Sequence, residues 1–262
     1  MWLIFVLIIV GVVFSFQRNN IVLFPTGPQS APANYSAPTY KTTPPSPGAT
    51  GAASGKTIPL RVNAAQAISE SVSTEYIVLE NFDYETKKPV TISGLKLQNR
   101  DKVSATISRD EYGNEIALDY NERAIVSTGE SPIGKNFKLN KCSGYFNQQN
   151  NFSPYIAGSC PAVSDLPQPK TLNNKCVNYI ENLSSCSAPN INADTGINND
   201  CAEFVSQHAS YSGCVADHKN DSDFDKHEWR IYLKQSGELW GNKHDLIQLF
   251  DSLGKLITET SY

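Results

Sequence analysis

The residues of this 262-residue chain best suited to chemistry are six cysteines and an acidic run flanked by histidines. Cys142, Cys160, Cys176, Cys186, Cys201 and Cys214 all lie within one stretch, where thiols could ligate zinc, stay as buried thiols or oxidise to disulfides. Structural zinc sites bring ligands two to four residues apart, and no C-x2-C or C-x4-C pair occurs here. The spacing therefore points to disulfides, and disulfides to an oxidising compartment. In residues 220–228, Asp221, Asp223 and Asp225 alternate like the opening of a calcium loop, with His218 and His227 close by. These five are candidate metal ligands. However, Lys226 stands where such a loop needs glycine and Tyr232 where it needs a bidentate glutamate, which favours a solvated acidic loop and no metal or other cofactor. His227-Glu228 lacks the second histidine of a zinc-protease helix, and neither a nucleophile elbow nor a phosphate loop is present. No residue is assigned a catalytic role, and the chain is expected not to be an enzyme. A hydrolase using His218, His227 and the adjacent carboxylates is the remote alternative.

The cysteines need elements to hold them. Leu172, Cys176, Tyr179, Ile180 and Leu183 share one face of a helix predicted over 172–183. Cys201, Phe204, Val205 and His208 do the same over 200–208, with Asn199 or Asp200 as N-cap, Gly213 as stop and His208 packed rather than ligating. Cys176 and Cys186 lie about ten residues apart, roughly 15 Å along a helix, too far for a disulfide. An antiparallel helical hairpin would instead pair Cys176 with Cys214 and Cys186 with Cys201, leaving Cys142 to close a loop with Cys160.

Strand patterns lie on both sides of this cysteine-rich part. Residues 75–81, 90–97, 103–107 and 123–127 precede it, and 228–233, 246–250 and 255–258 follow it. Gly94 reads as a bulge or a close backbone approach, and the 251–254 turn as a hairpin closed by Gly254. Trp229, Tyr232 and Trp240 read as core or edge packing rather than a carbohydrate platform. Residues 142–227 thus form a cysteine-rich insertion in a β-rich domain spanning 56–262.

Residues 2–16 are an apolar run broken only by Gly11 and Ser15, extendable through Phe24. No basic residue precedes the run and no nearby small-residue cleavage site follows it, which favours an uncleaved transmembrane anchor, residues 1–24, over a cleaved signal. Residues 25–55 are rich in Pro, Ser and Ala and read as a disordered stalk. Disulfides then orient the chain in the plasma membrane as single-pass, N-terminus cytoplasmic and body outside. The net charge is −4, and Arg18 and Lys41 are the only charged side chains before Lys56, so the body is more acidic still and nucleic acid is a poor partner.

Several short motifs resemble the lamin tail domain family. They are Glu75-Tyr76-Ile77-Val78-Leu79-Glu80-Asn81, the turn at Gly94, Trp229, Trp240, and the closing Asp251, Gly254 and Tyr262. Ile92, Leu95 and Thr258 depart from the usual pattern. The resemblance covers about residues 57–140 and 228–262, and suggests a membrane-anchored bacterial member. It implies a mainly β fold, an immunoglobulin-like β-sandwich with the disulfide-stapled helical hairpin inserted, and no shared catalytic residues. The implied role is a surface binding or scaffolding module for envelope or extracellular proteins. The alternative is a carbohydrate- or DNA-binding module beside a secreted hydrolase.

Overall fold

A run of β-branched and aromatic residues makes Tyr76–Asn81 a strand, and burial alternates along it, with Ile77, Leu79 and Asn81 buried and Tyr76, Val78 and Glu80 facing outward. The computed structural model describes residues 58–189, 191 and 196–262. The anchor expected at 1–24 and the stalk at 25–55 lie outside the described residues. Among these, no helix is long and apolar enough to cross a membrane.

The strands are β1 (Leu60–Asn63), β2 (Tyr76–Asn81), β3 (Val90–Thr91), β4 (Lys96–Gln98), β5 (Ser104–Thr106), β6 (Ala117–Leu118), β7 (Arg123–Ser127), β8 (Phe137–Asn140), β9 (Asp225–Tyr232), β10 (Leu246–Phe250) and β11 (Leu256–Ser261). The helices α1 (Asn174–Glu181), α2 (Asn199–His208) and α3 (Tyr211–His218) all fall between β8 and β9. One sheet runs β1-β2-β7-β9-β8, a second β11-β10-β4-β5, and β3 pairs with β6. Among the described residues, only β7 and β9 pair in parallel. Leu79 of β2, Val126 of β7 and Ile231 of β9 share one buried cluster with Leu97 of β4 and Leu249 of β10, so both larger sheets bury a common core.

The strand expected over 90–97 is instead two. β3 pairs with β6 and β4 with β5 and β10, because the chain turns through Gly94 at φ +84° rather than bulging there. Residues 123–127 and 246–250 are strands as expected.

β8 and β9 are hydrogen-bonded neighbours, so the cysteine-rich segment leaves and rejoins the sheet at one edge. Its expected C-terminal bound falls back from 227, because β9 already begins at Asp225. Asn173 caps α1 by accepting from the Cys176 N–H at 2.9 Å, and Asn198 caps α2 by accepting from the Cys201 N–H at 3.1 Å. Cys176 and Ile180 are buried, with Leu172, Tyr179 and Leu183 packed around them, as the helical face requires.

All six cysteines form disulfides, but none of the three expected pairs occurs. The bonds join Cys142 to Cys214, Cys160 to Cys186 and Cys176 to Cys201, at Cα separations of 5.8, 5.2 and 5.6 Å. The antiparallel hairpin fails for two reasons. Cys176 and Cys201 occupy the same third position of their helices, so α1 and α2 are tied start to start rather than start to end. Cys214 belongs to a third helix, which carries it to the end of β8. The exclusion of Cys176 with Cys186 holds.

Gly213 does not stop α2, which ends at His208; it sits in the first turn of α3, where the Ser210 hydroxyl accepts its N–H at 3.0 Å. A Cβ at Gly213 would collide with the Gln207 carbonyl oxygen. Gly213→Ala is therefore expected to destabilise the protein by about 2 kcal/mol through overpacking, measurable as a lower denaturant midpoint at unchanged m-value.

Candidate functional site

The residues that carry the family resemblance prove to be structural. Glu75 is fully buried; its two carboxylate oxygens accept the N–H groups of Leu239 at 2.9 Å and Trp240 at 3.1 Å. Burial pushes its pKa up, while those two donors pull the other way. Asn81 donates to the carbonyls of Lys88 and Leu118 at 2.9 and 2.8 Å. Trp240 is buried in the main core, and Trp229 packs against it. The Asp251 carboxylate accepts from the N–H groups of Leu253 and Lys255, closing the turn at Gly254. The Tyr262 hydroxyl donates to the Gly241 carbonyl at 2.7 Å, and burial pushes its pKa to about 12. Tyr76 faces outward, half-buried on β2, and the turn glycines Gly94 and Gly254 are exposed.

The acidic run is occupied by a cation of the chain itself. The Lys141 ammonium lies 2.9 Å from Asp221 and 2.6 Å from Asp223, and His218 Nδ1 lies 2.9 Å from the same Asp221. Lys141 holds both carboxyls below their usual range. Asp225 instead enters β9 opposite Asn140, and His227 stands exposed on β9, 3.8 Å from Glu122. The five candidate ligands thus do not converge, and among the described residues no group of three or more His, Cys, Asp or Glu could hold a metal ion. His208, its ring 4.5 Å from that of Phe204 and tilted 46° to it, has its Nδ1 2.7 Å from Asp217. Millimolar calcium or EDTA is accordingly expected to leave the thermal unfolding midpoint unchanged, as a calorimetric scan would read it.

What the fold does assemble lies on the outer face of the five-stranded sheet. Register places Arg61 beside Glu80, Glu80 beside Arg123 and Arg123 beside Glu228, a row of alternating charge across β1, β2, β7 and β9. Its two halves differ. Arg61 and Glu80 are 3.9 Å apart, Arg61 largely exposed and Glu80 half-buried. Arg123 donates to Glu228 through Nε at 2.8 Å, with Nη2 at 2.6 Å from the same oxygen. Glu228 accepts in turn from buried Arg230 at 2.8 Å, and Arg230 donates to the Pro154 carbonyl. This chain of contacts fastens the sheet face to the inserted segment.

The segment covers only one side of that face. Phe152 and Ile156 pack on Phe137, Leu139 and Tyr232 over β8 and β9. The rest remains open as two adjoining grooves. One, of about 530 Å³, is lined by Arg61, Glu80, Phe82, Asn121, Lys226 and His227; the other, of about 360 Å³, by Tyr76, Val78, Ile125, Pro154, Tyr155 and Arg230. Arg123, Leu139 and Glu228 line both. Tyr76 and Tyr155 bring phenol hydroxyls to the second groove, so the arrangement offers charged, apolar and phenolic contacts. Compared with known proteins, the chain matches no family model, no curated protein and no solved structure.

Proposed function

We propose that this chain is a non-enzymatic, membrane-anchored cell-surface binding module. In this reading an N-terminal anchor and Pro-rich stalk hold out an immunoglobulin-like β-sandwich of the lamin-tail type, whose outer sheet face meets envelope or extracellular protein partners. Two sheets around one core support the sandwich, and three disulfides support an oxidising compartment. The observation that carries the binding role is the open double groove beside the inserted segment. Its alternating charges suit a protein surface better than a phosphate track, since Glu80 and Glu228 would repel a polyanion.

The test places a photo-crosslinking residue at Val78, on the groove floor, and at Glu259, on the other sheet, in the full chain in its native membrane. Protein adducts from Val78 and not from Glu259, on a body that external protease removes from intact cells, are the expected result. No protein adduct from Val78, with retention of the chain on polysaccharide or DNA instead, would replace this reading with the carbohydrate- or DNA-binding alternative.

A further inference from the structure

Resting on that reading, we infer that the groove lined by Arg61, Phe82 and Lys226 receives a single carboxylate side chain of an otherwise uncharged partner peptide. In a net acidic chain this groove gathers an excess of cations: Arg61, Arg123 and Lys226 face Glu80 and Glu228, with His227 at the rim. These charges are not equivalent. Arg123 and Glu228 satisfy one another through two short contacts, and Glu228 is also held by Arg230. They form a fixed, neutral floor.

Arg61 approaches Glu80 at 3.9 Å, with its guanidinium 5.1 Å above the Phe82 ring. An exposed pair at that distance contributes little, so Arg61 can exchange Glu80 for an incoming carboxylate at small cost while Phe82 keeps its guanidinium plane in place. Lys226 lines the same groove, and its acidic neighbour Asp223 is not among the groove residues. A fork-shaped donor and a point charge on one concavity match one carboxylate. Two features argue against other occupants. Glu80 and Glu228 oppose a run of phosphates or uronates, and the Phe82 face that could stack a sugar ring already carries Arg61.

The test uses the full chain in detergent micelles and four immobilised probes. Three are acetylated, amidated alanine pentapeptides with a central Glu, Gln or phosphoserine, and the fourth is oligogalacturonate. The Glu peptide is expected to bind about tenfold more tightly than its Gln twin. Arg61→Gln and Lys226→Gln should each abolish that preference, Arg61→Lys should restore part of it, and Lys255→Gln, on the other sheet, should leave it intact, all at unchanged unfolding midpoint. Equal binding of the Glu and Gln peptides overturns the inference, as does preference for phosphoserine or for oligogalacturonate. Crosslinking at Val78 separates the two levels. Adducts that persist undiminished in Arg61→Gln would sink the carboxylate assignment and leave the binding module standing, whereas absence of adducts from the unaltered chain would sink both.

Discussion

Replacing Cys142 and Cys214 together by alanine lowers the unfolding free energy by about 4 kcal/mol, the largest loss expected from any single disulfide here. The ranking follows from loop length. This bond spans 72 residues, against 26 for Cys160–Cys186 and 25 for Cys176–Cys201, and the entropy removed from the unfolded chain grows with the logarithm of that span. By the same relation each shorter bond is worth about 3.5 kcal/mol. The long bond also has a local task. It ties α3 to the residues just after β8, inside a buried cluster with Tyr145 and Phe224, and so pins the inserted segment to the edge at which it leaves the sheet. Loss of the bond should therefore raise protease sensitivity within residues 143–224 before the fluorescence of Trp229 and Trp240 reports unfolding of the core. A double variant within about 1 kcal/mol of the parent, with unchanged proteolysis, would mean that the segment is held by its packing alone.

The strand pattern was legible in runs of five residues or more: Leu246–Phe250 buries alternate residues, and Arg123–Ser127 buries every residue after Arg123. β1, β6 and β8 run two to four residues, too short for a period of two to stand out, and so escaped detection. The cysteine pairing is hidden for a different reason. Helical faces say which residues are buried but not how two helices meet, and the third helix at Tyr211–His218 is masked in the sequence because Gly213 within it reads as a stop. A usable signal was present: Asn173-Asn174-Lys175-Cys176 and Asn198-Asn199-Asp200-Cys201 repeat one capping pattern, and the two cysteines so marked are the pair that bonds. The candidate site was the least legible part. Arg61, Glu80, Arg123 and Glu228 are each an ordinary outward residue of a strand, and only register across four strands makes them a row.

Glu75→Ala is expected to cost about 4 kcal/mol, although Glu75 touches neither groove. Its carboxylate is the acceptor for two buried N–H groups on the connection between β9 and β10, those of Leu239 and Trp240. Each donor left without a partner costs ~1–3 kcal/mol, and the space vacated beside Trp240 adds a cavity term. Glu75→Gln keeps an acceptor oxygen for one of the two donors and should cost roughly half as much. The pair of variants also isolates a pH effect. Burial raises the Glu75 pKa above its unfolded value, so the folded protein binds this proton more tightly than the unfolded chain does. The favourable contribution of protonated Glu75 is fully present below the unfolded pKa and is lost as pH rises through the raised folded value. Asp221 and Asp223 act in the opposite sense, since Lys141 lowers their pKa values and their contribution is lost as pH falls. Subtracting the Glu75→Gln curve from that of the parent cancels the aspartates. Urea unfolding of both proteins across the acidic range should then give a difference that declines with rising pH; a flat difference would mean that the hydrogen-bond donors balance burial, and a rising one that they outweigh it and hold Glu75 ionised.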